Sequence, residues 1–123
     1  MHQTQILTFG IEGVLAERLR ELAQTQRVWL RETSQFAACQ NLLQSAPSVF
    51  VLRLGRDITR ELALVEQVHA CLPRTATIVI GEADNPVLAW LAWELGATLA
   101  LFPPTPVERI TEALMSMLRE GTP

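Results

Sequence analysis

The sequence predicts a three-layer α/β domain built on a five-stranded parallel sheet. Segments with strand-like and helix-like apolar spacing alternate five times along the 123 residues, which is typical of a sheet whose strands are joined by crossover helices. Two strand-like segments, 49–52 and 76–80, are apolar at consecutive positions. Such runs indicate strands that are covered on both faces, because successive side chains point to opposite sides of a sheet.

The individual elements follow from short apolar runs for the strands and from apolar residues three or four positions apart for the helices. Leu15, Leu19 and Leu22, for example, lie on one face of the first helix. Trp29, in the second strand, is predicted to pack beneath a helix. The predicted strands are 5–9, 27–32, 49–52, 76–80 and 98–102, and the predicted helices are 13–26, 35–45, 58–71, 86–95 and 106 to about 120.

Polar residues and prolines mark where the helices begin. A Ser, Thr, Asp or Asn side chain accepts hydrogen bonds from the free amides of the first turn, and Pro suits the first helical position. The predicted helix starts are Thr33 or Ser34, Asp57, Asn85 with Pro86, and a capping box of Thr105 and Glu108. With right-handed crossovers, five such units predict a flavodoxin-like (βα)5 domain with strand order 2-1-3-4-5.

The composition argues against several classes of protein. Hydrophobic residues make up 49% and charged residues 19% of the chain, as in globular domains. The net charge of -3 disfavours direct contact with nucleic acid. The most apolar segment, 86–104, is interrupted by Glu94 and Gly96, so no membrane-spanning helix is predicted. The N-terminus lacks the pattern of a signal peptide, and Cys39 and Cys71 are predicted to be free thiols of a cytoplasmic protein.

Two stretches of the chain follow a pattern found in one protein family. Residues 47–54 read Pro-Ser-Val-Phe-Val-Leu-Arg-Leu, and residues 95–104 read Leu-Gly-Ala-Thr-Leu-Ala-Leu-Phe-Pro-Pro. Together with the spacing between Gly81 and Gly96, they resemble the third strand and the region around the fifth strand of response-regulator receiver domains, the CheY-like family. The resemblance covers essentially the whole chain. It implies a single receiver-like domain over residues 1–123 with a role in signal transduction and no enzyme activity.

The resemblance also implies where a phosphorylation pocket would lie, and this sequence departs from the family at each position. Active receivers hold magnesium with an acidic pair and a phospho-accepting aspartate, and bind the phosphoryl oxygens with a Thr or Ser and a Lys. The corresponding residues here are Gly10 and Ile11, Arg53, Gly81, and Pro103, while Pro104, which the family often holds in a cis peptide, is retained. A guanidinium is neither a nucleophile nor a metal ligand. The resemblance therefore implies a degenerate pocket, and a pseudo-receiver that works without phosphorylation.

Two roles are open for Arg53. It can pair with Glu12, Glu82 or Asp84 and hold the surrounding loops together, or it can bind an anion, assisted by Arg56, at the carboxyl ends of the strands. A metal site made by the three acidic residues is not supported by any ligand spacing, and Arg53 would repel the ion. We therefore predict no cofactor and no metal ion. The alternative function is a small-molecule or anion-binding domain, at most a weak enzyme, anchored by Arg53.

The fourth helix is unusually apolar, since Glu94 is its only charged residue. A helix at the edge of a small α/β domain buries only one side, so part of this apolar surface is expected to meet a partner. The resemblance places this surface on the fourth helix, fifth strand and fifth helix. The residues predicted for it are Ala89, Trp90, Trp93 and Ala100. The alternative is that both tryptophans belong to the core or its rim. The predicted partner is a second copy of the chain, as a homodimer, or a signalling or regulatory protein.

Overall fold

The computed structural model describes residues 4–120 and has a central parallel sheet between two layers of helices. The strands are β1 (Gln5–Phe9), β2 (Trp29–Thr33), β3 (Val49–Leu54), β4 (Ala76–Gly81) and β5 (Leu99–Leu101). The helices are α1 (Gly13–Gln26), α2 (Phe36–Leu43), α3 (Ile58–Cys71), α4 (Pro86–Glu94) and α5 (Val107–Glu120). Neighbouring strands are parallel and lie in the order β2-β1-β3-β4-β5. The predicted fold class and strand order are confirmed.

The sheet is buried on both faces, as the runs of consecutive apolar residues predicted. On one face, Phe50 and Leu52 of β3 belong to a core shared with α2, α3 and α4. On the other face, Val49 and Val51 belong to a core shared with α1 and α5. Because β3 supplies side chains to both cores and pairs with β1 and β4, it is the central element of the molecule.

Two predicted helix caps are confirmed by their hydrogen bonds. The Asp57 side chain accepts from the Arg60 amide at 3.3 Å, and the Asn85 side chain accepts from the Leu88 amide at 3.1 Å. Gly96 follows α4 with a φ of 109°, a conformation that a side chain would disfavour. Among the helices described for residues 4–120, none has the length and apolar character needed to cross a membrane.

The predicted caps of the second and last helices are wrong. α2 begins at Phe36 with Gln35 at the N-cap position, and the Thr33 hydroxyl accepts from the Gln35 amide at 3.1 Å, which closes a turn before the helix. Before α5, the Thr105 hydroxyl donates to the carbonyl of Phe102 at 2.6 Å and so contacts the residue that follows β5. In both places a Thr bonds to nearby backbone within the loop, a competing use of a short polar side chain.

Trp29 does not pack beneath a helix, contrary to the prediction. β2 lies at the edge of the sheet and pairs with β1 alone, so this residue has fewer neighbours than one in a central strand. Its side chain is exposed, and the Arg31 guanidinium lies 4.6 Å from the centre of the indole ring. The stack is a cation–π contact at the surface.

Candidate functional site

The carboxyl ends of the central strands bring Gly10 and Arg53 together. Gly10 follows β1 with a φ of 72°, and its amide donates to the Thr33 carbonyl at 3.0 Å. A Cβ atom built on Gly10 would lie 3.8 Å from the Cβ of Arg53, so the two residues are in contact across the sheet edge. Arg53 itself is in register with Ile80 of β4, and its side chain leaves the sheet where ligands of this topology usually bind.

Two ion pairs connect the loops around this edge. Arg53 Nη2 lies 2.9 Å from Glu82 Oε1, so Glu82 is the partner among the three acidic residues predicted for Arg53. Arg56 Nη2 lies 2.8 Å from Glu12 Oε1. The first pair joins β3 to the loop before α4, and the second joins the loops before α3 and α1. All four side chains retain access to solvent, so each pair alone stabilises the fold weakly.

A buried carboxyl group, which the sequence analysis missed, lies beside these pairs. Glu61, in the first turn of α3, is only 2% exposed, and its Oε1 accepts a hydrogen bond from the Gly55 amide at 3.0 Å. A signal was present in the sequence, because an acidic residue four positions after the cap Asp57 belongs to a helix N-terminus, where negative charge is favoured. Its burial depends on the fold of the loop and could not be predicted locally.

The groups around Glu61 form a small cavity of about 40 Å³. It is lined by Phe9, Gly10, Ser34, Phe36, Arg53, Gly55, Arg56, Glu61 and Glu82. The two arginines and two glutamates balance in charge, and Arg53 already engages Glu82. Within the described residues, no group of three His, Cys, Asp or Glu side chains could hold a metal ion. The cavity is large enough for only a few water molecules.

Three other positions of the predicted pocket lie outside this cavity. Ile11 is buried in the core shared with α1 and α5. Gly81 is also buried, and a Cβ atom there would overlap the ring of Phe102. Pro103 is not among the lining residues of the cavity, and the peptide bond between Pro103 and Pro104 is cis. The aromatic ring therefore occupies the space into which a side chain at Gly81 would extend.

The outer face of α4 carries the largest exposed apolar side chains near the C-terminal half of the chain. Val87, Trp90 and Trp93 are 75%, 61% and 49% exposed, and we call these three residues the α4 patch. The inward face of the helix packs on the core through Leu88, Leu91, Ala92 and Leu95. Neither tryptophan is therefore a core residue. Ala89 is half-buried in α4, beside the patch. Ala100 is half-buried in β5 and packs against the core.

Comparisons with known proteins support the fold but not a specific function. No protein-family model and no curated protein matches the sequence. Among solved structures, a CheY-like response regulator receiver domain protein from Methanospirillum hungatei JF-1 matches with a TM-score of 0.80 at 11% identity, covering 98% of this chain and 97% of that chain. The beryllofluoride-activated NtrC4 receiver domain dimer matches with a TM-score of 0.79 at 17% identity, covering 96% and 98%.

A third match is a CheY-like protein, TadZ, from Pseudomonas aeruginosa PAO1, with a TM-score of 0.73 at 16% identity, covering 94% of this chain and 99% of that chain. Identities this low carry information about the fold alone, because one fold hosts many functions. All three matches cover at least 94% of this chain with TM-scores of 0.73 to 0.80. This chain therefore has the fold of the CheY-like receiver domains of response regulators.

Proposed function

We propose that this chain is a phosphorylation-independent, receiver-like interaction module that acts through the surface of α4, β5 and α5. The observation that carries the proposal is the α4 patch, in which three large apolar side chains of one helix are exposed together. The fold supports a signalling role, because a similar solved structure is a CheY-like response regulator receiver domain protein. The module itself is proposed to have no catalytic activity.

The chemistry of the strand ends supports independence from phosphorylation. Phosphoryl transfer requires a nucleophile and cationic groups placed around the transferred phosphoryl group, and magnesium requires carboxylate oxygens that are free to coordinate it. Here Arg53 is the residue beside Gly10, and it already engages the nearby Glu82 carboxylate. The ring of Phe102 covers Gly81, where a hydroxyl group would be needed. The arginine beside Gly10 and the aromatic ring over Gly81 both support the proposal that this chain works without phosphorylation.

The α4 patch supports a partner with an apolar binding face. Tryptophan is enriched among residues that dominate binding energy, and an exposed apolar cluster usually marks an interaction site. Within α4 the only charged residue is Glu94, so the helix offers little to steer a charged ligand. The receiver domain of NtrC4 was solved as a dimer, and a second copy of this chain is one of the two partners we propose. The other is a signalling or regulatory protein.

The absence of phosphorylation is tested with a phosphoryl mimic. The 123-residue chain is titrated with beryllofluoride and magnesium while amide shifts are recorded by NMR, and an active receiver domain is run in the same buffer as a positive control. We expect no saturable change in this chain, because Arg53 cannot take the place of a carboxylate. Saturable shifts that require magnesium, centred on Gly10, Arg53 and Gly81, would contradict the proposal.

The interaction surface is tested by placing a charge in the α4 patch. Trp93→Glu is expected to weaken self-association or partner capture by about 30-fold, the effect of losing about 2 kcal/mol at a binding hot spot. Trp29→Glu is the matched control, because Trp29 is 45% exposed and lies on β2 at the opposite edge of the sheet. Sedimentation velocity measures self-association, and circular dichroism checks the fold.

Two results of this experiment would contradict the proposed surface. One is a wild-type protein that is monomeric at all concentrations and whose captured partners are unchanged by Trp93→Glu. The other is an equal loss of binding in Trp29→Glu, which would show that a charge anywhere on the surface is sufficient. A loss confined to Trp93→Glu supports the proposal.

Anion binding is the second candidate function, favoured by the placement of Arg53 and Arg56 at one cavity. An anion there must displace Glu82 or Glu12 from its arginine, which opposes binding. Thermal unfolding in phosphate, nucleotides and small carboxylates tests this function. A rise in melting temperature that Arg53→Ala abolishes would favour it over the interaction module, and no change for any of these compounds would count against it.

A further inference from the structure

Contacts hold both ends of α4 and leave its outer face free. Before the helix, Glu82 follows β4 directly and pairs with Arg53, only four residues ahead of Pro86. After the helix, Gly96 lies so close to α3 that a Cβ atom there would overlap the His69 ring. The helix between these two points carries the α4 patch. The position of the patch therefore depends on how the two ends are held.

We propose that Arg53 is a positioning residue that favours one orientation of α4 through Glu82, without any ligand. The proposal rests on the proposed function for what the α4 patch does, but its contacts lie outside the patch. In this proposal the binding orientation of α4 is built into the protein and is not reached by binding a ligand. The helix is held in its binding orientation by an internal cation, and loss of that cation loosens it.

The anchor of this contact is rigid. Arg53 lies in β3, which pairs with β1 and β4 and whose neighbours Leu52 and Leu54 are buried in the core. A side chain on a central strand moves little compared with one on a loop. The backbone from which Arg53 reaches Glu82, at 2.9 Å, is therefore held in place by the sheet.

The other partner lies on a short connection that reaches directly into the helix. Only residues 82–85 separate β4 from α4, and the last of them, Asn85, caps the helix through the Leu88 amide. The Glu82 carboxylate also lies against Gly55, where a Cβ atom would be 2.5 Å from the carboxyl carbon. The absence of a side chain at Gly55 leaves room for the pair. Few torsion angles lie between the ion pair and the first turn, so a shift at Glu82 must be taken up by the start of α4.

A second ion pair in the same region provides a matched control. Arg56 and Glu12 are 2.8 Å apart, and their side chains are 69% and 57% exposed, against 37% and 47% for Arg53 and Glu82. The chemistry is the same, but this pair joins the loops before α1 and α3 and does not touch the connection to α4. A general effect of lost charge at the sheet edge would appear in both pairs. An effect on α4 alone must come from Arg53.

The experiment measures amide hydrogen exchange, residue by residue, in the full chain without a partner. In Arg53→Ala, the amides of α4 are expected to exchange about two- to five-fold faster, which corresponds to the loss of one solvent-accessible ion pair. Arg53→Lys should restore most of the protection, because it keeps the charge on the same strand. Arg56→Ala should leave α4 within about 1.5-fold of the wild type while changing amides in the loops that it joins. If Arg53→Ala does not fold, Glu82→Gln removes the charge from the other partner with almost no change in shape.

Three results would overturn the proposal. They are unchanged exchange in α4 for both Arg53→Ala and Glu82→Gln, an equal acceleration in Arg56→Ala, and a failure of Arg53→Lys to restore protection. These results are independent of partner binding. If Trp93→Glu leaves binding unchanged but Arg53→Ala still loosens α4, the proposed function fails and the positioning role stands.

Discussion

At the scale of single residues, charged side chains at the carboxyl ends of the strands pair with one another or with the backbone. Arg53 engages Glu82, Arg56 engages Glu12, and the buried Glu61 carboxylate accepts the Gly55 amide. Each of these five charged groups already has a partner, so binding a further ion to any of them would require breaking one of these contacts. The exposed pairs have low individual energies, about 0.2–1 kcal/mol each. Their importance lies in which loops they connect.

The contact between Gly81 and Phe102 predicts a large effect from one methyl group. Gly81→Ala is expected to lower the free energy of unfolding by about 1–3 kcal/mol, because the new Cβ overlaps an aromatic ring packed against the core. Urea denaturation followed by circular dichroism measures the change. Gly55→Ala is the comparison, because the three atoms nearest its Cβ belong to the flexible carboxylate of Glu82, so we expect a smaller loss of stability together with displacement of Glu82 from Arg53. Adding Phe102→Ala to Gly81→Ala should cost less than the sum of the two changes. A loss below about 0.5 kcal/mol in Gly81→Ala would contradict the overlap.

The two cysteines are expected to react differently with thiol reagents. Cys39 is fully buried, and burial raises the pKa of its thiol from 9.0 to about 12, while Cys71 is exposed. Titration with a disulfide reagent at pH 8 should therefore label one thiol in the native protein and two in denaturant, because the thiolate is the reactive form. Rapid labelling of both thiols in the native protein, or of Cys39 alone, would contradict the burial of Cys39.

The same pKa predicts how stability depends on alkaline pH. The folded pKa of Cys39 lies above its unfolded value, so its contribution to stability is complete below about pH 9 and is lost as pH rises towards about 12. The chain contains no Tyr, and its ten basic residues are all Arg, so few other groups titrate in this range. Urea denaturation from pH 8 to 10.5 should show falling stability in the wild type and a flatter profile in Cys39→Ala. Parallel profiles for the two proteins would exclude the thiol as the cause.

At the scale of elements, the start of α4 is specified by neighbouring residues, whereas the burial of its faces is specified by the fold. Asn85 and Pro86 specify the start locally, and the predicted first residue agrees with the structure. The faces follow from the fold, because Leu88, Leu91 and Ala92 meet the core while Trp90 and Trp93 remain exposed. The apolar sequence alone did not distinguish one side from the other. α2 shows the reverse case, in which Thr33 bonds within a turn and the helix begins later than predicted.

The cap of α4 gives a prediction at this scale. Asn85→Ala is expected to lower the free energy of unfolding by about 1 kcal/mol, because the Leu88 amide loses its acceptor at a helix start. Asn85→Asp should keep most of the stability, since a carboxylate accepts the same bond and is favoured at this end of the helix. Thermal and urea unfolding measure both variants. Equal losses in the two substitutions would show that the side-chain amide, and not the accepted hydrogen bond, is what matters.

At the scale of the whole molecule, one sheet joins two cores. β3 contributes alternate side chains to the cores on both faces, so neither face can lose its packing without disturbing the strand that serves the other. The edges of the sheet are far apart in the strand order, with β2 at one side and β5, beside α4, at the other. We expect these edges to unfold together, because small single sheets of this kind are usually cooperative.

The tryptophans allow this expectation to be measured. Trp29 reports on β2 at one edge, and Trp90 and Trp93 report on α4 at the other. One variant carries Trp90→Phe with Trp93→Phe, and a second carries Trp29→Phe, so each retains a signal from one edge. Each variant should give a fluorescence midpoint in urea that coincides with its own circular dichroism midpoint. An earlier fluorescence transition at either edge, with helix content unchanged, would show that this edge unfolds on its own.

The layers, the strand order and several element boundaries of this protein could be predicted from its sequence alone. Consecutive apolar runs, helical spacing and cap residues act over a few positions, and a local pattern is sufficient to specify them. The partners of long-range contacts required the tertiary structure. Arg53 had three candidate acidic partners, and only the tertiary structure selected Glu82. The burial of Glu61 and the exposure of Trp29 likewise depend on which residues the fold brings beside them. Those neighbours include residues distant in the sequence, so a local pattern cannot specify them.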